Sequence, residues 1–165
     1  MAAYDPSEWH DLGVAAAGAS AALAGLLFVA VSINLDRVLA YPWLPGRVGE
    51  TVVLLVAVLV ESLVLLAPGQ SRTALGVEIL VTGAAAWAIA TAIHVRLRRH
   101  RADITAAQRG LRVATGQAAT VPAIVAGAAL LAHGGGGLYW LLAGITLSLV
   151  VSVTNAWVLL IEIVR

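Results

Sequence analysis

Glu61 is the residue of this chain best placed to do chemistry. It lies inside an apolar run from Glu50 to Ala67, about three residues past the centre of that run. A charged side chain near mid-bilayer costs ~2.5–3.5 kcal/mol even on lenient insertion scales. A carboxyl at that depth is expected to face protein or water and to avoid acyl chains. Two roles fit it. One is an ion site or a proton-accepting group. The other is a protonated carboxyl hydrogen-bonded to Thr or Ser on a neighbouring helix. No Arg falls at matching depth, so no ion pair within the chain is expected for Glu61.

The last apolar run carries a second polar feature. Gly144, Ser148, Ser152 and Ala156 recur every four residues, and Asn155 follows Ser152 by three. This spacing puts them on one narrow helical face. Such a face either lines an ion path with Glu61 or forms a packing seam, because small residues let backbones approach and hydroxyls bond across the contact. Similar stripes occur at Ala17, Ala21 and Gly25, at Ala84, Ala88 and Ala92, and at Ala119, Ala123 and Gly127. They predict a tight bundle with contact surface to spare, and hence a homo-oligomer. Pro122 interrupts the fourth run and frees a backbone carbonyl. Nearby Gln117 is expected to satisfy the loosened backbone at that kink.

Other chemistry is missing. The sequence holds no Walker loop, His-Glu-x-x-His helix, nucleophile elbow or dinucleotide fingerprint. It contains no Cys, which removes thiolate ligands and nucleophiles. Its four His (His10, His94, His100 and His133) do not have metal-ligand spacing. Gly134 to Gly137 lack the Lys-Ser/Thr of a phosphate cradle and read as a turn. No enzyme activity, metal or cofactor is expected. The formal net charge of +1 gives no pull toward nucleic acid.

The elements that must position these groups are membrane helices. Of the 165 residues, 61% are hydrophobic and only 12% charged, where a soluble domain carries roughly 25% charged residues. Mean hydropathy is +0.94. Five runs approach the ~20 apolar residues needed to span the hydrocarbon core: approximately 12–35, 50–67, 75–95, 111–132 and 138–164. The expected fold is a single all-α integral membrane bundle of about five transmembrane helices, with the bilayer as its principal partner. Pro42, Pro45 and Gly46 read as a break between the first two runs, and Pro68 and Gly69 as the end of the second. Asp5 and Pro6 read as a helix start, Thr105 and Gln108 as a capping box, and Asn34, Asp36 and Arg37 as the capped end of the first helix. The acidic N-terminal stretch lacks the basic region of a cleavable signal, so the first run is expected to remain.

Arginine fixes the expected orientation. Arg96, Arg98, Arg99, Arg101, Arg109 and Arg112 cluster between the third and fourth runs. Basic loops stay in the cytoplasm. Arg37, Arg47 and Arg165 then also fall inside, and the N-terminus falls outside, in a bacterial cytoplasmic membrane. Trp9, Tyr139 and Trp140 would mark the outer interface, and Tyr41 and Trp43 the inner one.

The stretch GASAALAGLLFVAVSINL from Gly18 to Leu35, following Trp9, His10 and Asp11, resembles the opening of small bacterial multi-pass membrane proteins, some of which are labelled modulators of FtsH protease. The resemblance covers roughly the first 40 residues. It implies an accessory or regulatory role exerted through helix packing, with another membrane protein as a candidate partner, and brings no catalytic motif. A small homo-oligomeric ion channel or transporter using Glu61, Ser148, Ser152 and Asn155 is the alternative.

Overall fold

The structure, a computed structural model, describes residues 2–98 and 106–164. Two short 3-10 turns, Ala2–Tyr4 and Pro6–Trp9, lead into α1 (His10–Ile33). A short α2 (Leu35–Ala40) follows, then α3 (Leu44–Leu65), α4 (Arg72–Arg98), α5 (Ala106–Ala132) and α6 (Leu138–Val164). There is no strand among the described residues. Five of the helices are long and apolar enough to cross a membrane. The chain is therefore an all-α, multi-pass membrane bundle. In hydrocarbon the helix meets this need because it satisfies every backbone group within its own segment.

Two boundaries differ from expectation. The first run breaks at Asn34, whose side-chain amide donates to the Ala30 carbonyl. Asp36 and Arg37 consequently belong to the separate helix α2 rather than to the end of α1. Pro45 does not break the chain. It occupies the first turn of α3, where its missing N–H costs nothing. With its start moved back to Leu44, α3 has its centre near Leu54 and Leu55, and Glu61 lies one turn from its C-terminal end instead of near the middle. Asp5 does cap the first turn. Its carboxylate accepts from the backbone N–H and hydroxyl of Ser7, and these bonds hold it below the ordinary carboxylate range.

Helix α3 is central and packs against α1, α4 and α6, while α5 joins α4 to α6. The tightest contact is between α4 and α5. A Cβ on Gly127 would lie 2.6 Å from the Leu80 nitrogen and 2.8 Å from the Gly76 carbonyl oxygen. Gly83 meets Ala123 and Ile124 in the same way, and Gly76 meets Leu130 and Leu131. This order of partners shows that the two helices run antiparallel. The stripe Ala119, Ala123 and Gly127 therefore faces inward as a seam. The other two stripes do not: Ala21, Gly25, Ala84, Ala88 and Ala92 are exposed, with Ala17 half-buried. Helix α1 instead turns Gly13, Ala16, Ser20 and Leu27 into the bundle, where the Ser20 hydroxyl donates to the Leu55 carbonyl.

Aromatic residues collect at the two ends. Trp9 and Tyr139 make an edge-to-face pair at 4.9 Å. The Arg72 guanidinium lies 4.8 Å from the centre of the Tyr4 ring. At the opposite end Trp43 contacts Tyr41 and Arg47. The glycine turn is pinned rather than loose. The Gly136 N–H donates to the Tyr4 hydroxyl, and a Cβ on Gly137 would strike the Ala3 carbonyl.

Replacing Gly127 with Ala places a methyl group against backbone, and overpacking of this kind costs about 1–3 kcal/mol. Gly25→Ala, with nothing within 4 Å of the new Cβ, should be neutral or slightly stabilising. Thermal unfolding in detergent should give a lower Tm for the first variant only. Equal Tm values would contradict the α4–α5 approach.

Candidate functional site

The polar interior divides into a cluster at one end of the bundle and an isolated carboxyl toward the other. Three side chains form the cluster. Glu50 on α3 and His94 on α4 are both buried, and the His94 Nε2 lies 2.9 Å from the Glu50 Oε1. Arg112 on α5 approaches the second carboxylate oxygen at 3.7 Å. Gly116, one helical turn from Arg112, makes room for the pair. A Cβ there would lie 2.5 Å from the His94 Cε1 and 3.4 Å from the Glu50 Oε1. Thr51 and Thr120 close their hydrogen bonds locally, on the Arg47 and Gly116 carbonyls. The Nδ1 of His94 is buried without a hydrogen-bond partner among the described residues. Burying charge is costly unless it is paired, so this set of groups must act as a unit. It ties three helices together and can hold or exchange a proton.

Sequence reasoning passed over this cluster. Glu50 read as the first residue of its helix because Pro45 read as a breaker. Starting α3 at Leu44 instead puts Glu50 inside the helix, on the same face as Leu54, Val58 and Glu61, since eleven residues make just over three whole turns. That spacing was the available signal. The arginine loop also changes character. Arg112 lies on α5 and reaches inward, whereas Arg96 is exposed on α4. Arg98 and Arg109 fall on the backbones of α4 and α5, and Arg99, Arg101, His100 and Thr105 lie outside the described residues.

Glu61 is only 3% exposed. Its expected hydroxyl partner is absent: no hydrogen bond to its carboxyl occurs among the described residues. The neighbouring Ser62 hydroxyl is likewise buried and unbonded. The α6 face does not converge on Glu61. Gly144 packs on Pro122 and Ala123 of α5, and the Ser148 hydroxyl donates to the Ala119 carbonyl at 3.0 Å. Lower down, Ser152 and Asn155 are buried, with the Ser152 hydroxyl and the Asn155 amide nitrogen unbonded among the described residues. Ser152 shares a cavity with Thr51 and Leu55, and Glu61 is not part of its lining. Gln117 does not bond the backbone freed by Pro122. Its side chain accepts from the Trp87 indole and donates to Thr91, tying α5 to α4. Among the described residues no group of three His, Asp or Glu could hold a metal ion.

Removing one member of the buried cluster should cost more than removing two. His94→Leu leaves the Glu50 carboxylate without its closest partner, which by analogy with broken buried pairs costs about 3–5 kcal/mol. The double variant Glu50→Leu, His94→Leu should recover a large part of that loss. A double-mutant cycle read by denaturant titration in detergent checks this, and additive losses would mean that the two groups are not coupled.

Comparison with protein-family models, with curated proteins and with solved structures finds no match for this chain.

Proposed function

We propose that this chain is a non-enzymatic accessory or scaffolding protein of a bacterial cytoplasmic membrane, acting through lateral helix packing and self-association. The observation that carries the reading is the outward-turned small-residue face on α1 and α4. Ala21, Gly25, Ala84, Ala88 and Ala92 are exposed, and Gly25 meets nothing within 4 Å of its missing Cβ. Small residues on a lipid-facing surface let a second helix backbone come close. The burial of Glu61 supports the same reading, because a residue only 3% exposed is poorly placed to receive ions from water. The resemblance of the opening stretch to proteins labelled modulators of FtsH protease points the same way, toward a membrane-protein partner. Arginine asymmetry supports an external N-terminus and a cytoplasmic C-terminus.

One observation favours a channel or transporter instead. Glu61, Ser62, Ser152 and Asn155 are buried with polar atoms lacking hydrogen bonds among the described residues, and such atoms in native proteins commonly meet water or an ion.

The absence of cysteine makes both proposals directly testable. Single cysteines at positions 25 and 88 should form disulfide-linked dimers in membranes, and Gly25→Leu should weaken self-association. A strictly monomeric mass in nanodiscs without crosslinking would exclude the scaffold. A cysteine at position 102 should resist an impermeant reagent applied from outside, and its labelling would reverse the orientation. Under the channel reading, reconstituted wild-type protein conducts protons or a cation and Glu61→Gln abolishes the flux. Silent wild-type liposomes would remove that reading.

A further inference from the structure

A cavity of about 310 Å³ lies between the second half of α1, the first half of α3 and the second half of α6. Its walls are mostly aliphatic, with Trp157 on α6 and the polar residues Asn34, Thr51 and Ser152 among them. On α1 it runs from Leu23 to Asn34, the residue that caps the helix end, a distance of roughly 16 Å at the α-helical rise. At ~30 Å³ per small group it accommodates roughly ten methylene-sized units. This is a long, narrow, apolar slot, and in a membrane-spanning bundle an opening toward the side faces acyl chains. The end at Asn34 has a different character. Arg37 lies on α2, just beyond Asn34. Arg47 lies one turn before the lining residue Thr51 on α3, beside the Trp43 ring at 6.0 Å. A basic and aromatic rim at a helix end matches the headgroup level of a bilayer.

We propose that this cavity holds one acyl chain of an anionic membrane lipid, with the headgroup at Arg47 and Arg37. Shape selects the chain and charge selects the headgroup. The Ser152 hydroxyl, buried in the wall without a hydrogen-bond partner among the described residues, marks a place where the protein has not closed its own packing. A larger apolar side chain there takes up the volume of the ligand.

The test is native mass spectrometry of the full chain released from nanodiscs containing equal phosphatidylglycerol and phosphatidylcholine with matched acyl chains. The wild type should retain one lipid per chain, favouring phosphatidylglycerol by roughly fivefold. Ser152→Leu and Ala156→Leu, which fill the slot from α6, and Ala30→Leu, which fills it from α1, should each lose the lipid while keeping wild-type helicity. Arg47→Gln and Arg37→Gln should keep a bound lipid but flatten the preference. Should the filled variants fail to fold, the wild type still decides the matter: brominated phosphatidylglycerol should quench Trp157, which lines the slot, more than brominated phosphatidylcholine does. Wild type without bound lipid, retention unchanged by filling, or equal retention of both headgroups would overturn the proposal. A lipid-free dimer that the same fillings dissociate would also overturn it, in favour of a second copy in the slot.

Discussion

Between helices in hydrocarbon there is no water to expel, so nothing like the hydrophobic effect pulls one helix onto another. Shape and the few polar bonds that cross between helices must do that work. The rest of this bundle is organised around the place where shape is tightest, the approach of α4 to α5 at Gly76, Gly83 and Gly127. Because these backbones nearly touch, Trp87 and Thr91 come within reach of Gln117, and His94 comes level with Gly116. Helix α3 can then pack against α4 while α6 lies along α5, with the Ser148 hydroxyl on a carbonyl next to the Pro122 turn.

The polar cluster follows from the same closeness. Glu50, His94 and Arg112 come from three helices and have no proximity in sequence. They meet because Gly116 carries no side chain where His94 sits. A glycine inside a helix usually weakens it by ~1 kcal/mol relative to Ala. Here the empty volume admits an imidazole and leaves the carboxylate with a neighbour, so the local cost is exchanged for pairing of a buried charge.

The fold was readable from the sequence because the bilayer sets a length. Runs such as 138–164 and 111–132 are too long and too evenly apolar to be anything but spanning helices, and the last run coincides with α6. Which face of each helix turns inward was only partly readable. The Ala119, Ala123 and Gly127 stripe points into the bundle, whereas the equally small-residue faces of α1 and α4 point out, because an alanine-rich helix offers nearly the same profile all round. The Glu50 cluster was hidden by proline: Pro45 can either stop a helix or start one, and the choice moved α3 by six residues relative to its expected start at Glu50. Glu61 was located by residue type alone, but its lack of a hydroxyl partner depends on three-dimensional packing that no spacing encodes.

The contact between Tyr4 and the glycine turn joins residues separated by 132 positions. A chain threaded into the membrane from its N-terminus brings α1 to the bilayer long before the α5–α6 turn exists. The Tyr4 hydroxyl must therefore wait for Gly136, and the Ala3 carbonyl for the bare Cα of Gly137. Closing this latch requires the α5–α6 turn to be in place. The N-terminal turn is thus held in place by a turn that lies more than a hundred residues further along the chain.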